Sequence, residues 1–374
     1  MITEALKIEK RSSARSQISN YLRDAIRRGN IQVGSKLPTT QEMANNWNTP
    51  VANVHAALAP LVKEGLLIRK QGVGTIVNNV DRKLETVAVY LKQNLGQYYS
   101  FFSRLLMKKI QEKLNSMNIE CRVFFENNEK SAFAQIVDLA ETRQIQGLIV
   151  PSADRHLLPE LQKLPVPFSC MSSARVKNRV EHRYSSMIDL VIESMRHHGR
   201  SRLGIICGIS DCINPVESGE QERHKFYQDF FTALDKAGID NRSEWNVIIP
   251  SSHDLCESDR YNHFAFEAIN KIWNSPEKPD ALYVYPDDLI MGALLAITTL
   301  NVRVPDDLHL ILHRNSGYDV LCPLPCTFIE NDVDFIADSL IKLVEDQFNG
   351  IDVSGIEYDY RIVEYNILKE NERC

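Results

Sequence analysis

Along the first eighty residues, apolar positions recur at helical spacing. In ARSQISNYLRDAIRRGN, Ile18, Leu22, Ala25 and Ile26 share one face, and Gly29 stands where a left-handed cap would end the helix. KLPTTQEMANNWN offers a turn at Pro38 and a capping box, Thr39 with Glu42 three residues on. It predicts a short second helix with Met43, Ala44 and Trp47 inward. A third helix begins at once: Thr49 can cap it, Pro50 suits its first position, and Val54, Ala57, Leu58, Leu61 and Val62 form a buried stripe ending near Gly65. Pro60 removes one hydrogen bond of that helix and is expected to kink it near Ala56. LLIRK and GTIV then read as two short strands, joined by a tight QGVG hairpin whose glycines supply positive φ.

Two helices joined by about three residues, followed by such a hairpin, make a helix-turn-helix with a wing, and the second of the two helices is the one that enters a DNA major groove. Asn53, His55 and Gln41 can read base edges, while Arg69, Lys70 and Gln71 stand at the wing tip as phosphate and groove contacts, with Gly72 and Gly74 allowing close backbone approach. Lys36, Thr39, Thr40, Val51 and Ala52 complete the expected DNA-binding set.

Beyond the wing, NNVDRKLE is a short polar linker, and the pattern changes to alternating strands and helices. TVAVYL precedes a helix over 99–117, CRVFF one over 130–143, GLIVP one near 154–162, and PFSCM one over 184–198. LGIICG, a helix over 220–237, WNVIIP, a helix over 260–274, ALYVY, a helix over 287–300 and LHLIL form a second set. Such alternation over about 290 residues predicts an α/β fold of two doubly wound parallel-sheet lobes behind the winged helix-turn-helix. The expected division is 1–78 for DNA binding, 79–85 as linker and 86–374 for the two-lobed domain.

Charge sharpens this division. Residues 1–78 hold eleven Lys/Arg against five Asp/Glu, a net +6, which leaves −12 for the remainder of a chain whose formal charge is −6. A basic front on an acidic body is the footprint of a nucleic-acid module joined to something else. No apolar run approaches the ~18 residues of a membrane span, and MITEALKIEKRSS lacks the apolar centre of a secretory signal, so a cytoplasmic protein is expected. The eight scattered cysteines suit reduced, buried thiols. Of the two closer pairs, Cys207/Cys212 and Cys322/Cys326, neither has a second pair at zinc-finger spacing, and prolines stiffen CPLPC as a loop, so no metal is expected. No cofactor is expected either. LKQNLGQYY, after the first strand of the second half, has no G-x-G-x-x-G, and neither a P-loop, a nucleophile elbow nor H-E-x-x-H occurs, which argues against an α/β enzyme.

The motifs QISNYLRDAIRRGNIQVGSKLPTTQEMA, VANVHAALAPLVKEGLL and RKQGVGTIV make residues 14 to 77 resemble the winged helix of the GntR family of bacterial transcription regulators. The chain departs from that family at Gln41, Val51, His55 and Val73, where arginines are usual, which implies a different operator sequence. PDALYVYPDDLIMGALLAI with NVRVPDDLHLIL, and more weakly QGLIVPSA and GRSRLGIICG, resemble the effector domain of LacI/GalR repressors, which shares the periplasmic sugar-binding-protein fold. That resemblance implies a cleft between lobes, three chain crossings placed near residues 181, 319 and 349, and a homodimer. It implies effector contacts at Asp287, at the aromatics Tyr98, Tyr99, Phe101 and Phe102, at Ser152, and at Arg183, Arg223 and Arg314. His313-Arg314-Asn315 replaces an acidic strand end, so Arg314 is expected to meet an anionic ligand, a sugar acid or sugar phosphate, or to pair internally with Asp287. The expected function is a ligand-responsive transcription regulator without catalysis, with a body that only dimerises as the alternative.

Overall fold

The computed structural model describes residues 13–27, 30–78, 83–92, 101–126, 131–153, 156–208, 220–248, 258–318 and 320–365, without the side chains of 27, 220–226 and 258–260. It divides into two compact units, one through Lys83 and one from Leu84.

In the first unit α1 (Ala14–Arg27) buries Ile18, Leu22, Ala25 and Ile26, and its expected cap Gly29 lies outside the described residues. Helix α2 (Thr40–Asn46) opens on the expected capping box: the Thr39 hydroxyl accepts from the Glu42 N–H at 3.2 Å, and Glu42 Oε2 accepts from the Thr39 N–H at 2.8 Å. Helix α3 (Val51–Lys63) differs from expectation at its start. Pro50 is itself the N-cap, and the Thr49 hydroxyl accepts instead from the Asn53 side-chain amide at 3.1 Å. Pro60 lies inside the helix, which continues to Lys63, close to the expected end near Gly65. Bidentate bonds from Arg23 to Glu64, at 2.9 and 2.6 Å, tie α1 to the chain just after α3. Strands β1 (Leu67–Lys70) and β2 (Gly74–Val77) pair antiparallel, Lys70 opposite Gly74, around a turn that holds Gly72 at φ +75° and Gly74 at φ +119°.

The second unit has two lobes. The first holds β3 (Thr86–Leu91), α4 (Phe101–Ser116), β4 (Glu120–Phe125), α5 (Ala132–Glu141), β5 (Gly147–Val150), α6 (Leu158–Leu161), β6 (Phe168–Met171) and β7 (Arg179–His182). The second holds α7 (Tyr184–His197), β8 (Leu203–Cys207), α8 (Glu220–Ala237), β9 (Asn246–Ile248), α9 (Ser258–Trp273), β10 (Ala281–Tyr285), α10 (Ile290–Thr299), β11 (His309–Asn315) and β12 (Cys326–Asn331). The chain then returns to the first lobe for α11 (Val333–Phe348) and β13 (Ile356–Tyr358), and its last described strand, β14 (Arg361–Tyr365), joins the second. The sheets run β13-β7-β6-β5-β3-β4 and β14-β12-β11-β10-β8-β9; every pairing is parallel except β14 on β12.

The chain crosses between lobes at Arg183, at Asp332 and at 359–360. The number agrees with expectation, and the first position lies within two residues of it. The other two fall later, because β12, α11, β13 and β14 all follow LHLIL, where the expected alternation stopped. Each sheet is covered on both faces, and strand alternation sorts its side chains: Leu310 and Leu312 join one core with α9 and α10, while Ile311 joins the other with α7 and α8. Gly292 lets α10 press on α9, since a Cβ there would fall 1.9 Å from the Asn262 carbonyl oxygen.

Candidate DNA-binding surface and effector cleft

On the first unit, Val51, Ala52 and His55 are exposed on α3, Gln41 on α2, and Lys36 and Thr39 beside it; Thr40 and Asn53 are half-buried. Arg69, Lys70, Gln71, Gly72 and Gly74 are all exposed on the hairpin, as is Val73. Burying Ile18, Leu22, Leu58 and Leu61 together leaves this polar face outward. Several of its polar side chains are already oriented by neighbours. Gln41 donates to Asn45 at 3.1 Å, and Asn53 is held by Thr49. His55 Nε2 lies 3.2 Å from an Arg69 guanidinium nitrogen. Arginine can only donate, so Nε2 is the acceptor in this contact. It links the third helix to the wing, a pairing that the sequence did not foretell.

In the second unit the C-terminal ends of β10, β11 and β12 meet the crossing segments. Asp287, Asp288, His313, Asn315 and Asn331 come together there with His182, Phe102, Tyr285 and Tyr360. The described residues enclose only about 30 Å³, the room of one water. Asp287 is 4 % exposed. Its Oδ2 accepts from Asn315 Nδ2 at 2.8 Å, Asn315 Oδ1 accepts from Asn331 Nδ2 at 2.9 Å, and Asn331 Oδ1 accepts from the Tyr358 hydroxyl at 3.1 Å. Tyr358 in turn lies 3.4 Å from His182 Nδ1. A continuous polar chain thus runs from the cleft carboxylate to the ends of β7, β12 and β13, where the lobes exchange chain.

Burial pushes the Asp287 carboxyl up to about 7, and the neighbouring Asp288 adds to the rise. Burial also pushes His182 down to about 4 and His313 to about 3. Neither ring nitrogen of His313 has a hydrogen-bond partner among the described residues; Nδ1 lies 4.0 Å from Asp287 Oδ1. The cleft therefore offers a carboxyl group poised near neutrality, two neutral imidazoles and amides already bonded to one another, among aromatic walls.

Of the expected effector residues, Asp287 and Phe102 are brought together here. Phe101 instead stacks on Tyr318, with centroids 4.6 Å apart, and Ser152 and Arg183 are exposed away from this lining. Arg183 pairs with Asp359 across the crossings. Tyr98, Tyr99 and the side chain of Arg223 lie outside the described residues.

Arg314 requires a correction. It follows Leu312 onto the opposite sheet face from His313, and meets neither the cleft nor Asp287. Its Nε donates to Glu330 at 2.6 Å, and its guanidinium sits 4.3 Å above the Phe328 ring. Buried Glu330 also takes Arg361 of β14, so the arginine neutralises a carboxylate within the sheet. Sequence reasoning also missed His182, Asn315, Asn331, Tyr358 and Tyr360 as site residues. Four of these five lie on β7, β12, β13 or the crossing just beyond β13; the alternation of TFIEN and IEYDYRIVEY marks strands there but not where their side chains converge.

Residues 14–77 match the family described as bacterial regulatory proteins of the gntR family, and residues 192–357 match the periplasmic binding protein-like domain. The arabinose metabolism transcriptional repressor of Halalkalibacterium halodurans is 18% identical over 326 residues, 84% of each chain. The HTH-type transcriptional repressor PurR of Mannheimia succiniciproducens is 27% identical over 228 residues, 58% of this chain and 62% of that protein. Among solved structures, a LacI family transcriptional regulator from Bifidobacterium animalis subsp. lactis superposes with a TM-score of 0.58 at 13% identity, covering 76% of this chain and 97% of the other. The chain is accordingly a transcription regulator in which a gntR-family helix-turn-helix domain precedes a periplasmic-binding-protein-like effector domain.

Proposed function

We propose that this chain binds operator DNA as a homodimer in the cytoplasm and that a small neutral polyhydroxylated molecule, a sugar or sugar derivative, controls that binding from the cleft. The observation that carries the reading is the polar chain from Asp287 through Asn315 and Asn331 to Tyr358, which joins the cleft to all three lobe crossings. A ligand hydroxyl that donates to Asp287 would compete with Asn315 and so disturb the groups that set the lobe arrangement. Two carboxyl groups and no arginine in the described lining favour a neutral ligand over a sugar acid. The name of the Halalkalibacterium relative, an arabinose metabolism repressor, points the same way. No helix among the described residues is long and apolar enough to cross a membrane.

One observation favours a second reading, in which the body only dimerises: the described cleft is nearly filled by its own side chains. Calorimetry separates the two. Full-length protein is titrated with neutral pentoses and hexoses and with the matching sugar acids, beside Asp287→Asn. Saturable binding of a neutral sugar that the variant loses supports the sensor; binding only of an acid, or of nothing, overturns it.

A further inference from the structure

Cys322 and Cys326, the ends of CPLPC, belong to neither the cleft nor the DNA-binding surface. Both are buried, at 0 % and 3 % exposure, in the core that α9 and α10 form on the second lobe's sheet, with Cys326 opening β12. Their sulfurs lie 3.8 Å apart, and Cys322 Sγ also lies 3.2 Å from the Leu324 carbonyl oxygen. Pro323 and Pro325 fix φ on either side of Leu324, so the intervening loop has little freedom to part the two sulfurs. Leu321 is 73 % exposed and Pro323 is exposed too, which puts the loop at the surface although its sulfurs face inward.

We propose that Cys322 and Cys326 are a dithiol modification site, which a peroxide closes reversibly to an intramolecular disulfide. A disulfide bond is about 2.04 Å long, so the sulfurs must approach by a further ~1.8 Å, within reach of side-chain rotation in a five-residue loop. The thiol of Cys326 can donate to the sulfur of Cys322, which lowers the pKa of Cys322 and raises that of Cys326, so Cys322 is the sulfur that attacks first. The Cys322 sulfur attacks one peroxide oxygen, the O–O bond breaks, and the departing oxygen takes a proton and leaves as water for hydrogen peroxide, giving a sulfenic acid. The Cys326 sulfur then attacks the Cys322 sulfur, the S–O bond breaks, and a second water leaves with the Cys326 proton. Two thiols lose two hydrogen atoms while one peroxide is reduced to two waters; a small thiol reductant reverses the change by exchange.

Cys170 and Cys207 are buried to the same degree on β6 and β8 and serve as internal controls. Folded full-length protein is treated with graded hydrogen peroxide, quenched with catalase, alkylated in denaturant and analysed by peptide mass spectrometry. The peptide carrying Cys322 and Cys326 is expected to lose two hydrogen atoms and to stop taking alkyl label, while Cys170 and Cys207 keep theirs, and dithiothreitol should restore the label. In Cys322→Ser, Cys326 should keep its label under the same treatment. Loss of label no faster than at Cys170, oxidation of Cys322 without the cross-link, or a cross-link from either sulfur to a different cysteine would overturn the proposal. The wild-type measurement stands alone if the variant fails to fold.

Discussion

The two units bring their functional groups together in opposite ways. On the first, the polar face comes from one stretch of about forty residues, and its side chains are oriented by near neighbours such as Thr49 with Asn53 and Gln41 with Asn45. In the second, Asp287 is bonded to Asn315, which is bonded to Asn331, which is bonded to Tyr358, so the site exists only once four strands and the returning chain are in place. A local site tolerates damage elsewhere in the molecule, whereas a site assembled from distant strands fails with the packing that sets those strands.

The sharpest way to break that contrast is Gly292→Ala. Its Cβ would meet the Asn262 backbone 1.9 Å away, and relieving the overlap means moving α10 off α9. The expected cost is about 3 kcal/mol or more to the second unit. Calorimetry of the full chain should show one transition lowered, while the other, that of the first unit, keeps its midpoint. An unchanged thermogram would show that this packing does not hold the second unit together.

Asp287→Asn tests the electrostatic half of the contrast. The folded Asp287 carboxyl titrates near 7 instead of its ordinary 3.8, so folding favours its protonated form. Its penalty is absent below about 3.8 and grows as pH rises through about 7. The half-buried His182 and the buried His309 and His313, whose pKa values desolvation lowers, act in the opposite sense, costing stability as pH falls below 6.5. The difference between variant and wild type isolates Asp287: the variant should gain in relative stability, by up to a few kcal/mol, as pH rises across that window. Parallel stability curves would mean that the carboxyl is not held in its protonated form.

The wing gives a smaller effect, read in DNA affinity. Gly72 holds φ +75° with open space where a Cβ would go, so Gly72→Val meets a backbone penalty of about 1–2 kcal/mol and no clash. Combined with Lys70→Ala it should weaken operator binding roughly tenfold or more and flatten the slope of log affinity against log salt by about 0.9 for each phosphate left without its cation. A folded double variant with wild-type affinity and slope would take the wing out of the interface. Smallest is Thr39→Ala, which removes the cap of α2 and should lower the first unit's stability by about 1 kcal/mol in denaturant titration, leaving the second unit untouched.

The same contrast explains what was legible in the sequence. The capping box at Thr39 and Glu42, the buried stripe of α3 and the glycine hairpin are local, and each was readable from a few adjacent letters. Strands β3, β8 and β10 were equally plain, because a strand buried on both faces is a continuous apolar run. The cleft was less so. Asp287 and Phe102 could be placed by resemblance, but β13 has three residues and β14 is an edge strand whose pattern is half polar, so Tyr358 and Tyr360 carried no sign of converging with His182. Arg314 was misplaced for a related reason: knowing that a residue lies near a strand end does not say which face it takes, and one step along the strand exchanges cleft for core.

The central claim, that the cleft controls DNA binding, is tested most directly by measuring affinity for a DNA fragment selected by the wild-type protein from a random pool, in rising concentrations of the neutral sugar that binds by calorimetry. The wild type should change its DNA affinity several-fold as the sugar saturates, while Asp287→Asn keeps its sugar-free affinity throughout. A wild-type affinity that stays constant at saturating sugar, or an Asp287→Asn protein that responds as the wild type does, would contradict the account.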